Sequence, residues 1–195
     1  MRYAGYDVNG SIALYRVDSK DVQLYGDGDM GNQTLRNVGD TRSVGMEFNT
    51  EWSVTRQWAL SVGGFINKAT FRRFENSRAC TGCAHNDVPM VPKYGMTLAV
   101  KGDVSVSDTV LRPQLTVRRV GAHYFDSSNT LHQGAYTVVD AGLGWQPTHN
   151  LELMFYAQNL MDQDYRTYGF SYGTTGNFAQ IAPGRTVGVT ATYLY

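Results

Sequence analysis

From Leu151 to Gln158 apolar side chains recur at every second position: Leu151, Leu153, Phe155 and Ala157 share one face of an extended chain. Glu152 and Gln158 lie on the other, with Met154 and Tyr156 between them. The alternation resumes at Thr186, with Val187, Val189, Ala191, Tyr193 and Tyr195 opposite Thr186, Gly188, Thr190 and Thr192. Period two is the signature of a strand with two unlike faces. The same pattern sets Val44, Met46, Phe48, Thr50, Trp52 and Val54 against Ser43, Gly45, Glu47, Asn49, Glu51 and Ser53. It continues in Trp58, Leu60, Val62, Gly64 and Ile66, then in Tyr94, Met96, Leu98 and Val100 of a strand over about 93–106. Leu111, Pro113, Leu115 and Val117 alternate with Arg112, Gln114, Thr116 and Arg118, and Thr137, Val139, Ala141, Leu143 and Trp145 mark a strand over about 135–146. A mid-strand proline argues against a strand over 110–120, and the alternation around it argues for one. The first strand, about 9–25, loses its alternation between Arg16 and Lys20, which leaves its faces unassigned. About eight strands result.

The connections follow a rule. Short turns, Thr55-Arg56-Gln57, Ser107-Asp108-Thr109 and Pro147–Asn150, follow the second, fourth and sixth strands. Longer segments rich in Tyr, Phe, Arg, Asp and Gly follow the odd-numbered ones. An apolar face that never meets a helix-like partner sequence has lipid as its simplest solvent, and outer-membrane barrels segregate short turns and long loops to opposite rims. The expected fold is therefore all-β: an antiparallel transmembrane β-barrel segment of about eight strands, with short periplasmic turns and long extracellular loops. Trp52 and Trp58 flank one short turn, as aromatic side chains do at a lipid–water interface. In a soluble sandwich the same two would be core residues.

Composition alters this picture little. The 195 residues allow one domain, and 17 basic against 17 acidic side chains give no reason to expect nucleic acid as a partner. A mean hydropathy of −0.33 suits a soluble chain, but barrel strands dilute each lipid-facing residue with a polar one. No apolar run of transmembrane-helix length occurs. Met1–Asp7 lacks the apolar centre of a signal peptide, which leads us to expect a piece of a longer polypeptide.

Candidate chemistry is sparse. Cys80 and Cys83, the two cysteines, have the Cys-x-x-Cys spacing in a loop over about 71–91 with His85 nearby. A zinc site would lack a fourth ligand, and a redox pair would lack its helix in a βαβ setting. A disulfide in an oxidising compartment asks for the least else. Gly26–Asn32 carries Asp-x-Asp spacing beside glycine, yet no bidentate glutamate follows as a calcium loop requires, so a solvated loop is the plainer reading. His85, His123, His132 and His149 lie in loops or turns without a nucleophile elbow, and no phosphate-binding loop joins a strand to a helix, so neither an enzyme nor a cofactor is expected. Glu47, Glu51, Lys101, Arg112, Arg118, Asp140 and Glu152 fall opposite the apolar face: a wet surface in a soluble protein, the lumen in a barrel. The ligand candidates are loop aromatics and an arginine, Tyr124, Phe125, Tyr165, Arg166, Tyr168, Phe170 and Tyr172. Such side chains combine contact area with pairing of anions, although aromatics at this height also form girdles.

Four segments carry a resemblance. Asn159-Leu160-Met161-Asp162-Gln163-Asp164-Tyr165 is similar to the Asn-Leu-Phe-Asp-Lys-x-Tyr segment of TonB-dependent outer-membrane receptors, with Met161 where Phe is usual. Ala182-Pro183-Gly184-Arg185 and the strand after it resemble their closing strand, ending here on Tyr195 rather than Phe. Asn37-Val38-Gly39 with Ser43-Val44-Gly45-Met46-Glu47, and Val91-Pro92-Lys93-Tyr94, resemble two earlier segments in the same order. The resemblance implies the C-terminal part of a barrel of about 22 strands, occluded by a plug domain that lies outside residues 1–195. It further implies the outer membrane of a Gram-negative bacterium and contact with its lipid. Uptake of a large nutrient would be energised by the TonB protein through that plug, and the family's commonest cargo makes a ferric siderophore the expected substrate. Two other readings remain: a self-contained eight-stranded barrel with a structural or adhesive role, and a soluble β-sandwich that would purify without detergent.

Overall fold

The computed structural model describes residues 7–27, 33–75, 80, 82–172 and 175–195, with the side chains of 25–27, 33, 34, 36 and 172 left aside. Most of the glycine-acidic loop, Gly28–Asn32, lies outside the described residues, as do Met1–Tyr6 and Arg78. The strands are β1 (Val8–Asp27), β2 (Gln33–Ser53), β3 (Trp58–Phe74), β4 (Tyr94–Gly102), β5 (Val104–Val106), β6 (Thr109–Val120), β7 (His123–Tyr124), β8 (His132–Gln133), β9 (Tyr136–Thr148), β10 (Leu151–Gln158), β11 (Arg166–Tyr172), β12 (Gly176–Ile181) and β13 (Thr186–Tyr193). Eight of them form one antiparallel wall in the order β1-β2-β3-β4-β6-β9-β10-β13, and β5 continues the line of β4 against β6. Within the described residues the wall is an open sheet with β1 and β13 at its edges.

Register joins the alternating patterns into one face. Val8 pairs with Trp52, Trp52 with Leu60, Leu60 with Val100, Val100 with Leu115, Leu115 with Ala141, Ala141 with Ala157 and Ala157 with Val187. Directly opposed residues share a face, so this row and those beside it make a continuous apolar surface. The first strand now has faces: Val8, Gly10, Ile12 and Leu14 meet Trp52, Thr50, Phe48 and Met46. Its alternation is lost from Arg16, where the register with β2 is still regular and the outward face itself turns polar; a bulge follows between Ser19 and Val22, where Asp21 takes φ 52° and donates its backbone N–H to Asp40 Oδ1 at 3.2 Å.

The apolar surface has no second layer. Ile12 and Leu14 are 74% and 80% exposed, and Val187 and Val189 70% and 60%. Among the described residues the buried apolar side chains are Val38, Phe71, Cys83, Phe125, Val138 and Ala182. They gather towards the long-loop end of the wall. A soluble sandwich buries its apolar faces against each other; here the wall presents its own to the surroundings, as a lipid-facing sheet does.

Pro113 is accommodated as a local break. Lys101 pairs with Gln114 and Val104 with Leu111 in one register, and the pairing lapses opposite Pro113 at Gly102–Asp103, where proline has no N–H to donate. The strand expected over 93–106 is thereby divided into β4 and β5. On the polar face several cross-strand aromatics lie over glycines: a Cβ at Gly45 would stand 2.6 Å from the Ile66 carbonyl oxygen and overlap the Tyr15 ring, and Phe65 covers Gly95 in the same manner. Aromatic cover of this kind pins strand register.

The connections divide as expected. Short turns occupy 54–57, 107–108 and 149–150; the first is tied by Thr55, whose hydroxyl accepts the Gln57 and Trp58 N–H groups at 3.1 and 3.0 Å. At the opposite rim run 75–93, 121–135 and 159–185, and two of these contain structure the alternation did not predict: β7–β8 in the second and β11–β12 in the third.

Candidate functional site

The long connections are stitched into one layer. Segment 75–93 folds back on β3, where Phe71 N–H donates to Asn86 and His85 N–H to Phe71, and Thr70 bridges Asp87. Beneath it lies Phe71, packed edge-on against Phe74 at 5.0 Å, and Cys83 of the segment is itself buried. Cys80 is bonded to Cys83, their Cα atoms 5.7 Å apart. Among the described residues no three His, Cys, Asp or Glu side chains converge as a metal would require. Protein isolated under non-reducing conditions is expected to be lighter than the reduced chain by the mass of two hydrogens, and equal masses in both states would refute the bond.

Asp87 then links two segments. Its N–H donates to Asn129 Oδ1 at 2.8 Å, and Asn129 Nδ2 returns a bond to the Asp87 carbonyl at 3.0 Å. Asn86 Nδ2 donates to Ser127 O, and Met90 N–H to Tyr124 O. The Asp87 carboxylate accepts Lys93 at 2.9 Å; that hydrogen bond, before charge, holds the ammonium above its ordinary pKa.

The β7–β8 ribbon closes on Asp126, whose carboxylate accepts Thr130 N–H and Leu131 N–H at 3.0 and 2.7 Å and the Thr130 hydroxyl at 2.8 Å. It docks against β11–β12 through two contacts. Buried Gln133 accepts the Arg166 N–H at 2.8 Å, and Phe125 lies on Gly169, where a Cβ would approach its ring to 2.7 Å. Between the ribbons opens a cavity of about 280 Å³ lined by Phe125, Leu131, His132, Arg166, Gly169 and Phe178, among others. A wider one of about 490 Å³ is lined by Gln133, Asp164, Tyr165, Arg166 and Ile181. Arg166 belongs to both. Its guanidinium reaches the His132 carbonyl at 3.4 Å, and among the described residues no carboxylate lies within ion-pair distance of it.

Of the residues expected to contact ligand, Phe125 and Arg166 come together at the first cavity and Tyr165 joins Arg166 at the second. Phe170 stacks on Phe178 at 5.3 Å, and Tyr168 tilts towards Phe170 at 6.0 Å. Tyr165 is stacked on Tyr136 at 4.1 Å. Tyr124 stands apart, edge-on to His132 at 6.4 Å. The Tyr172 backbone pairs with Gly176, and its side chain is outside the described set. Sequence reasoning missed Gln133, Leu131 and Phe178. The signal for Phe178 was present: in the sequence, Gly173-Thr174-Thr175-Gly176 between two aromatic runs is the kind of stretch that joins paired strands.

Glu47, Glu51, Lys101, Arg112, Arg118, Asp140 and Glu152 occupy register positions on the face opposite the apolar one. Two cross-strand ion pairs tie them, Arg118–Asp140 at 3.0 Å and Arg112–Glu152 at 3.1 Å, with Asp103 3.7 Å from Arg112. All are substantially exposed, so each contributes little to stability.

The Asn159-Leu160-Met161-Asp162 segment carries the third long connection. Asn159 is 5% exposed, its N–H donates to Asp140 Oδ1, and its side chain accepts Gln163 N–H at 2.9 Å while donating to Gln163 O at 3.0 Å and Pro183 O at 3.4 Å. Asp162 Oδ1 accepts Arg185 N–H at 2.7 Å. Both ends of 163–185 are thus clamped at the head of β10.

A single-layer antiparallel wall with an exposed apolar face and its ordered loops gathered at one rim is the architecture of a segment of β-barrel wall. Residues 1–160 match the family model described as TonB dependent receptor-like, beta-barrel, and the chain belongs to that family. It is 38% identical over 188 residues to the pesticin receptor of Yersinia enterocolitica, an alignment covering 96% of this chain and 27% of that protein. It resembles the crystal structure of the ferric yersiniabactin uptake receptor FyuA from Yersinia pestis with a TM-score of 0.85 at 34% identity, over 98% of this chain and 28% of the other. The siderophore receptor PiuA from Acinetobacter baumannii, 24% identical with a TM-score of 0.74 over 94% of this chain and 25% of that one, shares the fold. The chain spans about a quarter of the length of these relatives.

Proposed function

We propose that this chain is the C-terminal part of the barrel of a TonB-dependent receptor that takes up a ferric siderophore across the outer membrane of a Gram-negative bacterium. The remaining wall, the plug and the contact with TonB then belong to parts of the receptor outside residues 1–195. The open edges of β1 and β13 favour this over a self-contained eight-stranded barrel, which would pair them. In the receptor the apolar face meets lipid, and the face carrying Glu47, Arg112 and Asp140 lines the lumen.

The observation that carries the reading is Arg166, a guanidinium without a carboxylate partner among the described residues, held between two ribbons beside Phe125 and Phe178. A cation beside apolar rings suits an anionic ligand with planar groups. The names of the relatives make ferric yersiniabactin the first probe and pesticin the second. Arg166→Gln in the full chain is expected to weaken ferric-siderophore binding about tenfold or more, since roughly 1.4 kcal/mol separates each decade. Unchanged affinity in a variant that still reaches the outer membrane would remove the ribbon cavities from the binding surface.

A further inference from the structure

The apolar face ends differently at its two rims. At the short-turn rim it finishes in Trp52, Trp58, Trp145 and Tyr193. At the other it passes into Arg16, Arg42, Lys68 and Arg72. Register assigns the first three to the same face: Leu14 opposes Met46 and Met46 opposes Ile66, and one step further Arg16 opposes Val44 and Val44 opposes Lys68. Arg42 opposes Asp18 and Thr70. Arg72 is the extra residue of a bulge, since Asp40 pairs with Arg73 and Thr41 with Phe71; a bulge re-aims a side chain. Arg42, Val44, Lys68, Thr70, Arg72 and His85 line a groove of about 280 Å³ on this face.

We propose that this groove binds the phosphate of a lipid headgroup in the outer leaflet. Its charge is one-sided: Asp18 is shared by Arg16, at 2.9 Å, and Arg42, and among the described residues no carboxylate comes within ion-pair distance of Lys68, Arg72 or His85. Its height is that of a headgroup. Ten residues separate Trp58 from Lys68 on β3, and ten separate Trp52 from Arg42 on β2. At about 3.3 Å per residue and a strand inclination of roughly 40°, that places the cations about 25 Å above the tryptophans, one hydrocarbon thickness. Phosphate is the anion that lipids present at that depth, and the exposed Val44 side chain in the groove lining suits an acyl chain beside it.

The proposal rests on the outward assignment of the apolar face, and the test separates the two. The full chain, purified from membranes in mild detergent, is mixed with bisphosphorylated lipid A or with its dephosphorylated form, and retained lipid is counted by native mass spectrometry. Lys68→Gln/Arg72→Gln is expected to retain the phosphorylated lipid at least fivefold less than the parent or Lys101→Gln, which loses a charge on the opposite face. Retention of the dephosphorylated lipid is expected to be low for all three. Equal retention by the double variant and Lys101→Gln would overturn the site. So would displacement of the lipid by inorganic phosphate at equal concentration, which would make the groove a free-anion site. A parent protein that stays monomeric and soluble without detergent would instead bring down the membrane reading itself.

Discussion

Replacing Val189 by lysine is expected to cost the assembled wall about 2–4 kcal/mol, whereas lysine at the neighbouring Thr190 is expected to cost under about 1 kcal/mol. Val189 pairs with Phe155 on the exposed apolar face, and Thr190 pairs with Met154 on the polar one. Four residues separate Val189 from Tyr193 at the short-turn rim. With the strand inclined by roughly 40°, Val189 stands about 10 Å above that rim, near the middle of a band about 25 Å tall. An ammonium there is too far from either interface to reach water without distorting the wall, while at Thr190 it points to the solvated side. At roughly 1.4 kcal/mol per decade, the larger penalty lowers the folded-to-unfolded ratio by about thirtyfold or more. The fraction of folded, heat-modifiable protein in outer-membrane preparations reads the difference. Equal losses from the two variants would mean that the two faces of β13 have been exchanged.

The wall was legible because an apolar face and a polar face impose opposite demands on adjacent residues. Where both act, as in Leu151–Gln158, the alternation locates the strand to the residue. Where they cease, the ladder outlives its signal. β3 continues to Phe74, yet its outward positions beyond Ile66 are Lys68, Thr70 and Arg72, so nothing in the polarity of that stretch announces a strand. β2 likewise begins at Gln33, well before the alternating Ser43–Val54. Backbone pairing needs no amphipathic pattern once the strands run beyond the apolar band. The candidate site was legible in kind but not in arrangement. Aromatics and an arginine in loops could be selected by residue type. That Phe125 would cover Gly169, or that Gln133 would accept the Arg166 N–H, depends on which loops dock, and contacts between residues so far apart leave no local periodicity. The family-like segment around Asn159 could be matched to a family but not explained until its bonds were seen.

Those bonds set the second large expectation. Asn159→Ala is expected to destabilise the 159–185 connection by about 2–4 kcal/mol, and Asn159→Gly by about 1 kcal/mol less. The side-chain amide makes three hydrogen bonds in a nearly buried position, two to Gln163 and a longer one to Pro183. Alanine removes all three, each worth about 0.5–1.5 kcal/mol net, and leaves a gap at the nearly buried Asn159 position. The backbone adds to the loss. Asn159 has φ 49°, a left-handed conformation that asparagine tolerates, glycine favours and alanine resists, so the glycine variant isolates the hydrogen-bond contribution. Because β10 and β13 are held by their own ladder, the wall is expected to stay folded while 163–185 detaches. Limited proteolysis should therefore cut between Gln163 and Ala182 in both variants, faster in Asn159→Ala, with heat-modifiability unchanged. Arg166 lies three residues beyond Gln163, so siderophore affinity should fall in the same order as protease resistance. If the loop is released and affinity holds, the ligand is gripped elsewhere and the ribbon cavity around Arg166 is only a consequence of loop packing.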